Sequence, residues 1–367
     1  MTDARRTEPS AFDFWLEYLH LQPDLTQWAT TFDEARINWH LDLCWQLLRE
    51  ARRRATTAEE RALVYFYEGL LRVHAGDWEQ AATCYETAQA GLPKTAVGLR
   101  FSLLGERGML ARLQGDVKTA LAFHQEQYAL AKTYANRAWQ AEAKDQQAMD
   151  YEVLHKWQAA QQALQQALTL YEQGEDIEGL AGCHNRLGLI ALRRRHLPAA
   201  AKHLQRAKVL FTQLDRPFDL AQVEGNLGNL AYVNEAWEEA EAHYRRALAC
   251  FTALNVVFDK IGVLNNLGSI ALAREDEDQA QRFYEEGLAL ARELGGQREV
   301  CDLLINLGVI NLRQGRLDDA RACYAEALSL THEIGDRKGA LDLHRRQMRL
   351  WLLRALQWLR RRFTGKA

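Results

Sequence analysis

Three asparagines, Asn226, Asn266 and Asn306, stand 40 residues apart, and stepping back by the same interval reaches Arg186 and Gln146. A side-chain amide carries donor and acceptor together, matching one peptide unit of an extended ligand. Asparagine is a mediocre helix former, so three at one phase of a repeat need a reason beyond propensity. Two readings are open: the amides grip a peptide backbone, or each only bonds across to the neighbouring repeat. Asn185, Asn229, Asn265, Arg193 and Arg313 extend the polar strip and complete a candidate peptide-binding set. Other chemistries lack their signatures. The eleven histidines form no H-E-x-x-H and no regular pairing with cysteine, so no metal site is expected. The six cysteines include no C-x-x-C pair and read as reduced core residues. There is no G-x-x-x-x-G-K-[ST], and the GNLGN run at 225–229 falls inside a predicted helix. With no nucleophile–base motif either, the chain is expected to be non-enzymatic and to need no cofactor.

The elements that position these residues recur. A small residue stands at Gly69, Gly108, Ala148, Gly188, Gly228, Gly268 and Gly308, one step of 39 residues followed by steps of 40. Twelve residues after each lies an alanine, from Ala81 through Ala120, Ala160, Ala200, Ala240 and Ala280 to Ala320. Four residues further comes a ring or leucine at Tyr85, Leu164, Leu204, Tyr244, Tyr284 and Tyr324; the second copy has His124, beside Phe123. Apolar residues at helical spacing, such as Leu264, Leu267, Ile270 and Ala271, then Ala280, Tyr284 and Leu288, predict two helices per copy. Glycine and alanine admit close backbone approach, and the ring fills the gap beside them. Gly76, Gly115, Gly315, Asp215, Asn255, Gly295 and Gly335 mark the helix ends, where these types tolerate a left-handed cap. The ladder asparagines precede the small residue by two, about 200° away around the helix, so they face away from the partner helix.

These features resemble the tetratricopeptide repeat family over roughly residues 59–335, as in Leu227-Gly228, Ala240, Tyr244 and Ala247-Leu248. The longer period is similar to that of kinesin light chain and Leu-Gly-Asn-type adaptors. The resemblance implies an all-α, right-handed α-solenoid of about seven helix–turn–helix repeats, with a concave groove lined by the first helices. It also implies that Asn226, Asn266 and Asn306 hold a peptide backbone; Arg186 and Gln146 depart from the pattern but can donate. The lysine-containing carboxylate clamp of chaperone-binding repeats is not reproduced: Gly182, Gln222, Gly262 and Asp302 occupy the positions four before the ladder.

The expected organisation is an N-terminal helical cap or degenerate repeat at 1–58, seven repeats at 59–335, and a basic amphipathic capping helix at 336–367. A net charge of −3 excludes nothing about partners by itself. From residue 337 onward, however, ten Lys/Arg face the single acid Asp342, interleaved with Leu350, Trp351, Leu352, Leu353, Leu356, Trp358, Leu359 and Phe363. That pattern suits a solvated cap, an acidic partner or an anionic membrane surface. No signal peptide or membrane span is recognisable, and a cytoplasmic location is expected. The leading expectation is a protein–protein interaction module holding a protein or peptide ligand, without specific nucleic-acid recognition. Alternatives are a peptide-responsive sensor and a peripheral membrane adaptor acting through the C-terminal helix.

Overall fold

Turns set the period of this molecule. The computed structural model describes residues 41–336, 339–348, 350 and 352. A residue in the left-handed region recurs every 20 positions: Ala135, His155, Glu175, Arg195, Asp215, Glu235, Asn255, Glu275, Gly295, Gly315 and Gly335, preceded by Gly76 and Gly115. Each ends a helix, and the next begins shortly after. The caps expected at Gly76, Gly115, Asp215, Asn255, Gly295, Gly315 and Gly335 all adopt this conformation. Six others do so without glycine or asparagine. Their φ values of 49–63° cost about 1 kcal/mol each for an L-residue.

Among the described residues every regular element is helical. They are α1 (Leu41–Arg54), α2 (Ala58–His74), α3 (Trp78–Gly91), α4 (Val97–Leu113), α5 (Val117–Thr133), α6 (Arg137–Val153), α7 (Trp157–Gly174), α8 (Ile177–Arg193), α9 (Leu197–Gln213), α10 (Pro217–Val233), α11 (Trp237–Ala253), α12 (Val257–Ala273), α13 (Glu277–Leu294), α14 (Gln297–Arg313) and α15 (Leu317–Ile334), with 339–348 helical beyond them. The fold is an all-α solenoid of helix pairs. Pro198 and Pro217 lie in first turns, where the missing N–H is harmless. Thr57 and Glu60 form a capping box at the start of α2. The chain divides into two compact units, Met1–Gly179 and Leu180–Ala367.

Each pair closes on the small residue, the alanine and the ring. All seven alanines of the repeat, Ala81 to Ala320, are fully buried, and Tyr85, Leu164, Leu204, Tyr244, Tyr284 and Tyr324 are at most 1% exposed. A methyl group on Gly228 would sit 2.6 Å from the Tyr244 ring, and one on Gly268 2.5 Å from Tyr284. Glycine is required there because a ring already occupies the space.

In the first unit the ring's place is taken by His124 rather than Phe123. His124 is fully buried against Gly108, and its Nδ1 lies 2.5 Å from Asp150 Oδ2. Asp150 also accepts from Arg112 at 3.0 Å, and the Gln147 amide donates to the His124 carbonyl at 2.9 Å. A polar ring is tolerated because its partners are buried with it. Phe123 instead lies beneath the Arg107 guanidinium, 4.4 Å away.

In the second unit Leu343 and Leu350 join the core around Tyr324 and Ile310. Most of the basic C-terminal segment, including Trp351, Trp358 and Phe363, lies outside the described residues. So do Trp15, Tyr18, Trp28, Phe32 and Trp39 of the N-terminal stretch; Trp45 packs on the core of the first unit. None of the six cysteines is in a disulfide, and four of them are buried. No described helix is long and apolar enough to cross a membrane.

Candidate functional site: an amide ladder and its cleft

The first helices of the second unit, α8, α10, α12 and α14, are joined by side-chain amides. Asn226 Nδ2 donates to Asn185 Oδ1 at 2.9 Å, Asn266 Nδ2 to Asn229 Oδ1 at 3.2 Å, and Asn306 Nδ2 to Asn265 Oδ1 at 2.8 Å. Every ladder asparagine therefore bonds to its neighbouring repeat. The bonds do not use the amides up. All six asparagines are only half-buried. Each ladder amide spends one N–H, and among the described residues its carbonyl oxygen has no partner. Held from behind, the amide is a pre-oriented group with an acceptor and a donor to offer.

The packing rings support this arrangement. The Tyr244 hydroxyl donates to Asn229 Oδ1 at 2.6 Å, so Asn229 receives both that O–H and the Asn266 N–H. Burial pushes the Tyr244 phenol well above its ordinary value and keeps it a donor. Tyr284 meets Ser269 Oγ at 3.1 Å in the next repeat.

A cleft of about 320 Å³ opens beside the ladder. Asn185 and Leu189 line it from α8; Gln222, Gly225, Asn226 and Asn229 from α10; and Asp259, Gly262, Val263 and Asn266 from α12, with Phe251 also on its wall. The α10 and α12 residues follow i, i+3, i+4, i+7 spacing, so each set is one helix face. Of the predicted set, Asn185, Asn226, Asn229 and Asn266 are brought together here. Asn265 and Asn306 continue the ladder outside the cleft. Arg186 is half-buried on α8, whereas Arg193 and Arg313 are exposed at helix ends away from the cleft lining. In the first unit Gln146 accepts from Arg112 at 3.0 Å, the same cross-repeat pairing with different partners.

Asp259 and Gly225 are not among the predicted site residues, and Gly262 is singled out only as a position without the clamp lysine. The available signal was a set of helical glycines that no packing contact requires, since a Cβ on Gly182, Gly225 or Gly262 would meet nothing within 4 Å.

A second polar node lies on the Glu224 carboxylate. It meets His243 at 2.6 Å, Lys208 at 2.7 Å and Arg246 at 3.0 Å. Burial alone would raise its pKa, but the three hydrogen bonds outweigh that and hold it at about 2. One repeat earlier the same two positions carry His184 and His203, whose Nδ1 atoms are 2.9 Å apart. Burial and each other's proximity push His184 down to about 4, so the pair stays neutral. Among the described residues no group of three or more His, Cys, Asp or Glu is arranged to hold a metal.

A family model for the tetratricopeptide repeat matches residues 219–293 and 259–331. No curated protein sequence matches the chain. Several solved structures share its fold. A Rap protein complexed with competence and sporulation factor superimposes with a TM-score of 0.62 at 16% identity, covering 91% of this chain and 98% of that one. The apo form of the quorum sensor NprR from B. thuringiensis gives 0.59 at 12% identity, covering 89% and 99%. A signal transduction ATPase with numerous domains and a tetratricopeptide repeat sensor, from Pyrococcus horikoshii, gives 0.63 at 12% identity, covering 90% of this chain and 54% of that one. At these identities the likeness is one of fold.

Proposed function

We propose, for a chain that carries tetratricopeptide repeats across residues 219–331, that the second unit binds an extended peptide or partner segment along the first helices. One observation carries the reading: successive half-buried amides, each fixed by a neighbour and each retaining an acceptor and a donor, run beside an open cleft. Such a row matches the alternating C=O and N–H of an extended backbone. Pre-orientation lowers the ordering cost of binding. The binding is non-catalytic.

The test uses the full chain and a library of random acetylated octapeptides. Binders are to be titrated against the triple variant Asn226→Ala, Asn266→Ala, Asn306→Ala. Each lost hydrogen bond is worth about 1 kcal/mol, or roughly fivefold in affinity, so the triple variant is expected to weaken binding by about a hundredfold. Asn185→Ala, which leaves the Asn226 amide in place but no longer fixed, should weaken binding less than the triple variant does. Equal binding by the triple variant ends the ladder's role.

A peptide-responsive sensor is the second reading. It is favoured by the fold shared with a quorum sensor and with a Rap protein complexed with competence and sporulation factor. On that reading the peptide changes how successive repeats pack, and small-angle scattering of the free and peptide-bound chain should differ; identical curves remove it.

A further inference from the structure

We propose that the cleft between α10 and α12 seats a basic side chain of the bound peptide, arginine or lysine, with its charged head at Asp259. The inference rests on the peptide reading above and adds a residue preference to it. Among the described residues lining the cleft, Asp259 is the only charged one. It is half-buried, and among the described residues it has neither an ion pair nor a hydrogen bond. The repeat supplies an internal comparison. One copy earlier, Asp219 is matched by the Arg216 Nε at 3.0 Å. Three residues before Asp259 stands Val256, so the counter-charge is missing. A cation on the ligand would supply at Asp259 the counter-charge that Arg216 supplies at Asp219 one copy earlier.

The rest of the cleft suits a long aliphatic stem ending in a charge. Gly225 and Gly262 leave open space where any side chain would project. Glycine inside a helix is costly relative to alanine, and packing supplies no compensation here. Phe251 and Val263 give an apolar wall for methylene groups, while Asn226 and Asn266 stand where the ligand backbone would cross. Asp259 also occupies the first turn of α12, whose N-cap Val256 makes no side-chain cap. A carboxylate there favours the helix dipole, a role that touches stability but gives no preference among ligands.

The experiment is a positional-scanning library of acetylated octapeptides, bound to the full chain and to Asp259→Asn, Asp259→Arg and Gly262→Leu. In the wild type, one position is expected to enrich arginine and lysine about tenfold over glutamine and methionine, and replacing that arginine by citrulline should cost a similar factor. Asp259→Asn should abolish the enrichment, Asp259→Arg should turn it towards glutamate and aspartate, and Gly262→Leu should block the bulky side chain while leaving the fold intact. Binders that depend on Asn226 and Asn266 yet show no basic preference, or a preference that survives Asp259→Asn, overturn this inference alone. A library yielding no ladder-dependent binder overturns the peptide reading and this inference with it.

Discussion

Gly228 and Gly262 stand in neighbouring first helices under opposite constraints. A methyl on Gly228 collides with the Tyr244 ring, whereas one on Gly262 meets nothing. Alanine gains about 1 kcal/mol over glycine in a helix interior, but overpacking a buried contact costs about 1–3 kcal/mol. Gly228→Ala is therefore expected to lower Tm and Gly262→Ala to raise it, in thermal melts of the two variants; a loss of stability in Gly262→Ala would reveal a packing role the structure does not contain. The two neutral histidines argue for a pH effect of known sign. His184 is held at about 4 against an ordinary 6.5, so below pH 6.5 the unfolded chain binds protons that the folded chain refuses. Stability must fall as pH drops from 6.5 towards 4. Two repeats on, the same positions hold Leu264 and Phe283. The double variant His184→Leu, His203→Phe should flatten that part of the stability–pH curve; an unaltered slope in urea melts would show that the pair does not titrate with folding. Glu224 acts in the same direction in a lower window, between about 4.5 and 2.

At the scale of the helix pair, much was legible because the same physics is repeated seven times. The small residue, the alanine and the ring announce where two backbones touch, and a lone exception such as His124 is visible as an exception. What could not be read was which ring would be buried at 123–124; that depended on Asp150 and Arg112, each on a different helix and recognisable only as partners. Nor could the ladder's orientation be settled. An amide serves a neighbour or a ligand equally well, and here it bonds the one and keeps groups for the other. The caps at Ala135, His155, Glu175, Arg195, Glu235 and Glu275 were missed because their residue types carry no signal for positive φ; only the 20-residue phase marks them. Glu235 is exposed and bears this strain, so Glu235→Gly is expected to stabilise the chain by about 0.5–1 kcal/mol, read as an increase in the urea midpoint at unchanged m-value. A decrease would mean that the Glu235 side chain contributes more than its backbone costs.

Within each unit, hairpins find their partners in the hairpins next to them, as in an array whose stability sums local and nearest-neighbour terms. Weakening one hairpin should then be felt nearby. In Gly228→Ala, amide exchange is expected to quicken in α10 and α11 and their immediate neighbours, while α2 to α5 keep wild-type protection; uniform acceleration across the chain would indicate one all-or-none unit. The recurring left-handed turns carry a further consequence. Between Asp215 and Gly335 each linker falls at the same step, so excising or duplicating a forty-residue cassette rejoins like with like and leaves every seam in register. A cassette of half that size would place a first helix of a pair where a second one belongs. The length of the amide row is thus free to change in whole copies during gene duplication, one more rung at a time, without redesign of the joints that hold it.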